Sequence, residues 1–360
     1  MTFKTKKPPV RFSQQLSYKR QLNLHFAVII VAVAAIFLKT FIPALAGEET
    51  TALAFKVFLM LVTGVIVSLF VEIVYAIGEG TVEKFYSYKS YVDPINTGLL
   101  IALILPSITP IYVLVLAVIV GVFAGKLVYG GYGFYIFNPV LVGALFVMLS
   151  FSTQLEVFGT PLQALKDAMV GITTEIDFWP LIVGNYEAIA IGSAGLIILL
   201  LAFIYLCVTR VVDLRISGVF LLAISLISFI IGYFNGFVFD YILLNLITGL
   251  TMFGAVFLIS ESVSSPTSRE TKIIYATVVA VLTMMVRVLG TYNEGVIFAI
   301  LFGNMLTPFI NRTVKRSNNK TLIKTVVFSV LAVVSVGVIL GLILHNRIEE
   351  ANAFVGGVLL

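Results

Sequence analysis

Ionisable side chains that lie in or beside long apolar runs are the first candidates for chemistry in this chain. They are Glu72, Asp93, Glu187, Asp240, Glu261 and Arg287. A charge placed deep in a membrane segment costs free energy, so such residues often mark ion or proton paths. Glu72 and Glu261 lie deepest, and we predict that they belong to an ion pathway, although Glu261 could equally open a loop. Isolated carboxylates do not distinguish Na⁺ from H⁺, or from no ion at all.

Proline and glycine interrupt several apolar runs. The interruptions are Leu105-Pro106, the glycine-rich stretch from Gly130 to Gly133, and Asn138-Pro139. Non-helical backbone within a bilayer is tolerated only where protein or a polar cavity satisfies its hydrogen bonds. An ordinary kink or loop is the alternative, but three such sites close together predict a lined cavity.

The elements that must position these residues are membrane-spanning helices. The 360-residue chain is 60% hydrophobic and 11% charged, whereas a soluble domain is about 25% charged. Its apolar runs are continuous rather than alternating, which excludes transmembrane strands, and they suit helices of about 20 residues. We therefore predict an all-α polytopic membrane protein with about ten or eleven transmembrane helices.

The distribution of basic residues predicts the orientation of the chain. The formal net charge is +5, and the basic residues cluster in the N-terminal segment and between apolar runs. Lysine and arginine concentrate in cytoplasmic loops of membrane proteins, so this charge indicates membrane topology and no nucleic-acid partner. We predict a multi-pass protein of the cell inner membrane with a cytoplasmic N-terminus. Arg287 is an exception, because the same count places it on the outer side.

Few residues are available for metal or soluble-enzyme chemistry. There is one cysteine, Cys207, and the two histidines, His25 and His345, lie far apart in sequence, so we expect no metal site. The chain also lacks a phosphate-binding loop, a dinucleotide-binding glycine motif and a nucleophile elbow. Any redox chemistry must therefore come from a bound cofactor.

The order of motifs suggests an internal duplication. Thr97-Gly98-Leu99 and Thr248-Gly249-Leu250 each open a short span, and Asn138-Pro139 and Asn304 with Pro308 close the two halves. Five spans per half is an odd number, so the repeats would be inverted, with broken helices and a site near the midplane. Chance similarity between apolar segments is the alternative. The predicted division is a basic cytoplasmic segment 1–22, a first five-helix repeat 23–152, an outer-face loop 153–187, a second repeat 188–310, and a basic loop, extra helix and tail 311–360.

Three stretches resemble the RnfD/NqrB family, the membrane subunits of ion-translocating electron-transfer complexes. The first is DPINTGLLIALILP at 93–106 with GKLVYGGYGFYIFNPVLVG at 125–143. The second is FGAVFLISESVSSPTS at 253–268, and the third is VRVLGTYNEGVIFAILFGNMLTPFINR at 286–312. The segment GNYEAIAIG at 184–192 is similar more weakly.

This resemblance implies a fold, a cofactor and partners. It implies ten helices in two inverted repeats, bound flavin (FMN, and riboflavin as a second possibility), and electron transfer beside other membrane subunits in the lipid bilayer. On this basis the expected cofactor-binding residues outside the attachment site are Gly130, Gly131, Gly133, Asn138, Pro139, Glu187 and Asn304.

Family members carry FMN on a threonine, which implies a flavin transferase as a further partner. Thr160, followed by Pro161-Leu162, occupies the matching place but lacks the preceding Ser-Gly-Ala. Thr173 is a second candidate, because Asp167, Gly171 and Thr173 keep the family's spacing. A plain structural role for either threonine is the alternative.

Two further positions depart from the family pattern, and they leave several functions open. Ser260-Glu261-Ser262 stands for the family's Thr-Asp-Pro, and Tyr135 stands for an asparagine. The leading hypothesis is a flavin-binding subunit of an ion-translocating oxidoreductase that relays electrons. The rivals are a transporter for riboflavin, FMN or another small solute on the same fold, and a scaffold subunit that has lost its cofactors.

Overall fold

The structure is a computed structural model of the chain. It describes residues 16–45, 51–83, 87–151, 182, 190–193, 195–290, 294–313 and 319–358. Within these ranges the chain is all-α, as predicted. The only β pairing in the described ranges is an isolated antiparallel bridge between Pro106 and Ala190.

Twelve helices run through the described residues, because long apolar segments satisfy their backbone hydrogen bonds internally as helix. They are α1 (Tyr18–Leu45), α2 (Thr51–Gly78), α3 (Val92–Ile104), α4 (Ile111–Gly125), α5 (Pro139–Ser150), α6 (Leu196–Val208), α7 (Leu214–Asn235), α8 (Val238–Ile247), α9 (Thr251–Leu258), α10 (Arg269–Leu289), α11 (Gly295–Thr313) and α12 (Asn319–Val358).

Seven of these helices are long and apolar enough to cross a membrane. Helices α8 and α9 are together long enough for one further span, and they are bent by 58° at the break between them. The described part of the chain also contains the shorter apolar helices α5 and α6. A total of ten or eleven transmembrane helices stays a prediction. Large apolar side chains such as Phe55, Phe70 and Phe328 are well exposed on their outer surfaces, as expected of helices that face lipid.

Helices α2 and α3 approach each other closely at two glycines. A Cβ added to Gly98 would collide with the backbone carbonyl of Gly64, and a Cβ added to Gly64 would lie 2.6 Å from the carbonyl oxygen of Gly98. Small residues at a helix crossing allow this backbone contact inside a membrane. The crossing sets α3 against α2, and therefore fixes the start of α3 beside the end of α2.

Irregular segments from both halves of the chain meet in the interior. The N–H of Ile191 donates to the carbonyl of Leu105 at 3.0 Å, directly after α3 ends. The Ser193 hydroxyl donates to the carbonyl of Gly249, in the break between α8 and α9, at 2.9 Å. Non-helical backbone therefore finds its partners within the protein, as it must at this depth.

Arg287 is part of this interior rather than of a loop. Its side chain is 2% exposed and lies on α10. A buried arginine that bonds protein groups carries no information about which loops face the cytoplasm. The apparent conflict with the charge distribution therefore disappears. The inverted-repeat division into 23–152 and 188–310 stays a prediction.

The last helix adds a layer outside the other segments. Helix α12 packs along α7 and α10, where Gly337 lies against Ile230 and Gly341 against Phe234. A Cβ on Gly337 would lie 2.8 Å from Ile230 Cδ1, so these glycines allow close helix packing.

Candidate functional site

The face of the molecule at which α1 begins, here called the N-terminal face, holds most of the predicted site residues. Leu16 donates its N–H to the Tyr132 hydroxyl at 3.3 Å, and His25 bonds Asn96 at 2.7 Å. The start of α1 therefore lies beside the start of α3 and the glycine-rich turn. The end of α2 reaches the same face.

Lys126 is the centre of a buried charge cluster at this face. It directly follows α4, is 2% exposed, and donates to both Glu72 on α2 and Asp93 on α3. A buried ammonium group requires charged or polar partners, and two carboxylates around one lysine leave a net negative charge. Glu72 is 11% exposed and Asp93 23%, so the carboxylates, rather than the lysine, lie nearer to solvent.

Three glycines reverse the chain immediately after Lys126. Gly130, Gly131 and Gly133 have φ values of 105°, 86° and 92°. These left-handed conformations are strained for residues with a Cβ, so the turn depends on glycine. The turn borders a cavity of about 370 Å³, whose lining includes Glu72, Asp93, Lys126, Gly130, Gly131, Tyr132 and Phe134.

Glu261 lies in the loop after α9 and is held by four hydrogen bonds. Its carboxylate accepts from the Tyr135 hydroxyl at 2.7 Å, the Ser264 hydroxyl at 2.6 Å, and the backbone N–H groups of Val263 and Ser264. Burial raises the pKa of Glu261, whereas the bonds from Ser264 and Tyr135 oppose that rise. Glu261 therefore opens a loop rather than lying within a helix, and its role in an ion pathway stays a prediction.

Tyr135 and Glu261 are two of the positions that depart from the family pattern, and they contact each other. Each departure lengthens a side chain, from asparagine to tyrosine and from aspartate to glutamate. The bond between the two side chains shows that these changes are structurally linked. Inspection of either motif alone could not reveal this link, because residues 135 and 261 lie far apart in sequence.

The two asparagines predicted to close the repeats also meet. Asn138 caps α5 by accepting from the Val140 N–H at 3.0 Å. The Asn304 side-chain amide is oriented so that its oxygen and its nitrogen both have partners. Its oxygen accepts from the Asn138 backbone N–H at 3.2 Å, and its nitrogen donates to the Tyr275 hydroxyl at 2.9 Å. Asn138 and Pro139 line a second cavity, of about 60 Å³, beside Tyr135 and Glu261.

A separate pair of charged residues bonds the free backbone groups at the break between α8 and α9. Arg287 donates to the carbonyls of Asn245 at 2.9 Å and Thr248 at 3.3 Å, while Glu294 accepts from the Leu250 N–H at 3.2 Å. A cation thus meets the carbonyl end of α8 and an anion the amide end of α9, which matches the polarity of helix ends. Arg287 and Glu294 lie 4.0 Å apart and are each 2% exposed.

The structure brings some predicted residues together and leaves others untested. Glu72 lies in the Lys126 cluster, Glu261 contacts Tyr135, and Asn138 contacts Asn304. Thr160, Thr173 and Glu187 lie outside the described residues. Sequence inspection missed Lys126 and Glu294, although a lysine at the end of an apolar run was an available signal.

Comparison with known proteins identifies the family. The model of the NQR2, RnfD, RnfE family matches residues 9–320. The chain is 29% identical to the D subunit of the Na(+)-translocating ferredoxin:NAD(+) oxidoreductase complex of Acetobacterium woodii, over 61% of this chain and 70% of that protein. The D subunit of the ion-translocating oxidoreductase complex of Alcanivorax borkumensis is 29% identical, over 69% of this chain and 80% of that protein. The corresponding D subunit of Psychromonas ingrahamii is 27% identical, over 60% of this chain and 74% of that protein. The chain therefore belongs to the NQR2, RnfD, RnfE family.

Proposed function

We propose that this protein is the flavin-binding membrane subunit of an electron transport complex, that it relays electrons, and that it couples them to movement of Na⁺ or H⁺. The relatives named above are D subunits of ion-translocating oxidoreductase complexes, which supports other membrane subunits as partners. The observation that carries the proposal is the buried Lys126 cluster, whose carboxylates border a cavity of about 370 Å³.

We further propose that the N-terminal face is cytoplasmic and that the protein lies in the bacterial inner membrane. Arg20, Arg210, Arg215 and Lys272 all lie at this face. Basic residues concentrate on the cytoplasmic side of membrane proteins, so their position supports this orientation. The cluster at Glu72 and Asp93 would then receive cations from the cytoplasm.

The sizes of the two cavities beside the expected cofactor-binding residues support a position for a non-covalent flavin. The cavity beside Asn138 and Glu261, about 60 Å³, is too small for an isoalloxazine ring. The cavity beside Gly130, Gly131 and Tyr132, about 370 Å³, is within the range of about 300–1,000 Å³ typical of small-molecule sites. We therefore propose that the cavity beside Gly130, Gly131 and Tyr132 admits the ring, which would supply one- and two-electron transfer.

The residues that line the larger cavity suit different parts of such a ligand. Tyr132 and Phe134 offer aromatic surface to a ring, and a Cβ at Gly131 would meet no atom within 4 Å, so the turn leaves open space there. In our proposal Glu72 and Asp93 hold the cation while Lys126 limits their net charge. Covalent FMN on Thr160 or Thr173 would be a separate site.

Flavin fluorescence in a denaturing gel tests the cofactor directly. The full-length protein would be coexpressed with a flavin transferase beside the Thr160→Ala and Thr173→Ala variants. We expect fluorescence that survives denaturation and disappears in one variant. Absence of covalent signal in the wild type would refute flavin attachment.

A second readout separates the redox function from its rivals. If the native protein released flavin on denaturation and the protein alone carried flavin into vesicles, a transporter would replace our proposal. If no flavin copurified under any condition, the scaffold hypothesis would replace it.

A further inference from the structure

A wide cleft on the N-terminal face is lined by four basic side chains. The cleft has a volume of about 870 Å³ and lies between the start of α1, the turn from α6 to α7, the loop at residues 260–265, and the start of α10. Its basic residues are Arg20, Arg210, Arg215 and Lys272. The cleft adjoins the cavity of about 60 Å³, with which it shares Ser260 and Ser262. It shares no lining residue with the cavity beside the Lys126 cluster, to which the function proposed above is assigned.

The acidic residue of the cleft neutralises one of these bases. Asp213 accepts from the Lys272 ammonium group at 2.6 Å and from the Arg215 N–H at 3.0 Å. Burial alone would raise the pKa of Asp213, but the Lys272 and Arg215 bonds hold it below its usual range. The pair of Lys272 and Asp213 is therefore neutral, and the positive charge of the cleft rests on three exposed arginines, Arg20, Arg210 and Arg215.

Arg210 occupies a backbone conformation that favours glycine. Its φ is 57°, and no other non-glycine residue in the described ranges has a positive φ. The residue follows the end of α6, where glycine is the usual choice. Strain of this kind persists only where the surrounding structure compensates for it. The Arg210 side chain lies in the lining of the cleft and adds charge to it.

Hydroxyl groups add hydrogen-bond donors to this positive charge. Ser260, Ser262 and Ser265 line the cleft, and the buried Ser262 hydroxyl has no hydrogen-bond partner among the residues that the structure describes. Arginines combined with a free hydroxyl provide the donors that bind phosphate oxygens.

We propose that this cleft binds the phosphate headgroup of an anionic phospholipid. The cleft reaches the outer surface of the helix bundle at Leu214, which lines it and is 61% exposed, and Val208, the last residue of α6, is 76% exposed. These apolar side chains provide a surface for lipid acyl chains beside the cleft. Basic pockets between helices near the cytoplasmic membrane surface bind anionic headgroups in this way.

The test is a lipid titration of the purified full-length protein by native mass spectrometry. Phosphatidylglycerol and phosphatidylcholine would be compared on wild type and on Arg210→Gly/Arg215→Gln. Because each base near the surface contributes about fivefold in affinity, we expect about 25-fold weaker binding of phosphatidylglycerol to the double variant. Binding of phosphatidylcholine should not change.

Two controls keep the result interpretable. Glycine suits the φ of residue 210, so Arg210→Gly should melt at the wild-type temperature or above it while it still loses lipid. Lys320→Gln/Lys324→Gln removes the same charge from exposed positions at the start of α12, outside the cleft, and should bind lipid as wild type does.

Three outcomes would overturn the proposal. One is equal binding of the two lipids by the wild type. Another is equal loss of phosphatidylglycerol in both double variants, which would indicate general surface charge. The third is complete displacement of phosphatidylglycerol by millimolar inorganic phosphate, if phosphate binding also depends on Arg210 and Arg215. That result would indicate a site for a free phosphate compound.

Discussion

Two groups of buried charged residues in the described structure meet different structural needs. Arg287 and Glu294 satisfy opposite ends of the broken span α8–α9, while Lys126 neutralises part of the charge of Glu72 and Asp93. The first pair completes backbone hydrogen bonds, whereas the second cluster borders a cavity. Arg287 and Glu294 therefore stabilise the fold, whereas the charges of the Lys126 cluster are available to a ligand in the cavity.

Removal of Arg287 should destabilise the protein more than removal of both members of its pair. Arg287→Met leaves Glu294 and the carbonyls of Asn245 and Thr248 buried without their cationic partner. We expect a loss of about 3–5 kcal/mol in the free energy of unfolding, measured by denaturant titration in mixed micelles. Arg287→Met/Glu294→Gln should lose less than Arg287→Met, and a double variant at least as unstable as Arg287→Met would contradict this interpretation.

The hydrogen bond from Ser264 should lower the pKa of Glu261. A donor to a carboxylate favours its ionised form, so Ser264→Ala should raise the pKa of Glu261 further and keep it protonated to higher pH. The carboxyl C=O band in infrared difference spectra reports this titration. Ser265→Ala is the control, because the Ser265 hydroxyl makes none of the four bonds to the Glu261 carboxylate and alanine keeps the backbone N–H that bonds the Glu261 carbonyl. An unchanged titration in Ser264→Ala would show that this bond has no such effect.

At the scale of elements, apolar runs and glycine positions determined how much could be predicted. Long, uninterrupted apolar runs form α1, α2, α4 and α7, which are the helices that hydropathy predicts most directly. The apolar run at 239–260 instead forms two helices, α8 and α9, which are bent at Thr248 to Leu250. Hydropathy continues across that break, and tertiary contacts from Ser193, Arg287 and Glu294 stabilise it.

The crossing of α2 and α3 should depend on the absence of a side chain at Gly98. Gly98→Ala places a methyl group against the Gly64 backbone, so we expect a loss of about 1–3 kcal/mol in the free energy of unfolding. Gly218→Ala in α7 is the matched control, because its Cβ would meet only ordinary contacts of 3.8 Å or more with Leu214. Equal stability of the two variants in the same denaturant titration would be evidence against close packing at this crossing.

At the scale of the whole molecule, the sequence predicted the class of fold and part of the site. Motifs singled out Glu72, Asn138, Glu261 and Asn304, because each interrupts or borders an apolar run. The contact between Asn138 and Asn304 and the contact between Tyr135 and Glu261 both join distant segments. Such contacts follow from how the two halves pack, so no local pattern could reveal them.

We propose that electron transfer through this subunit is coupled to cation movement by way of the Lys126 cluster. The most direct test measures electron transfer and Na⁺ or H⁺ uptake in the same inverted membrane vesicles, from cells that make the complete complex. Glu72→Gln keeps an acceptor for Lys126 but removes the carboxylate charge, and Glu83→Gln changes an exposed carboxylate beyond α2 as the control. We predict that Glu72→Gln vesicles retain electron transfer but move far fewer cations per electron, while Glu83→Gln vesicles match the wild type. Glu72→Gln vesicles that move as many cations per electron as the wild type would contradict the account.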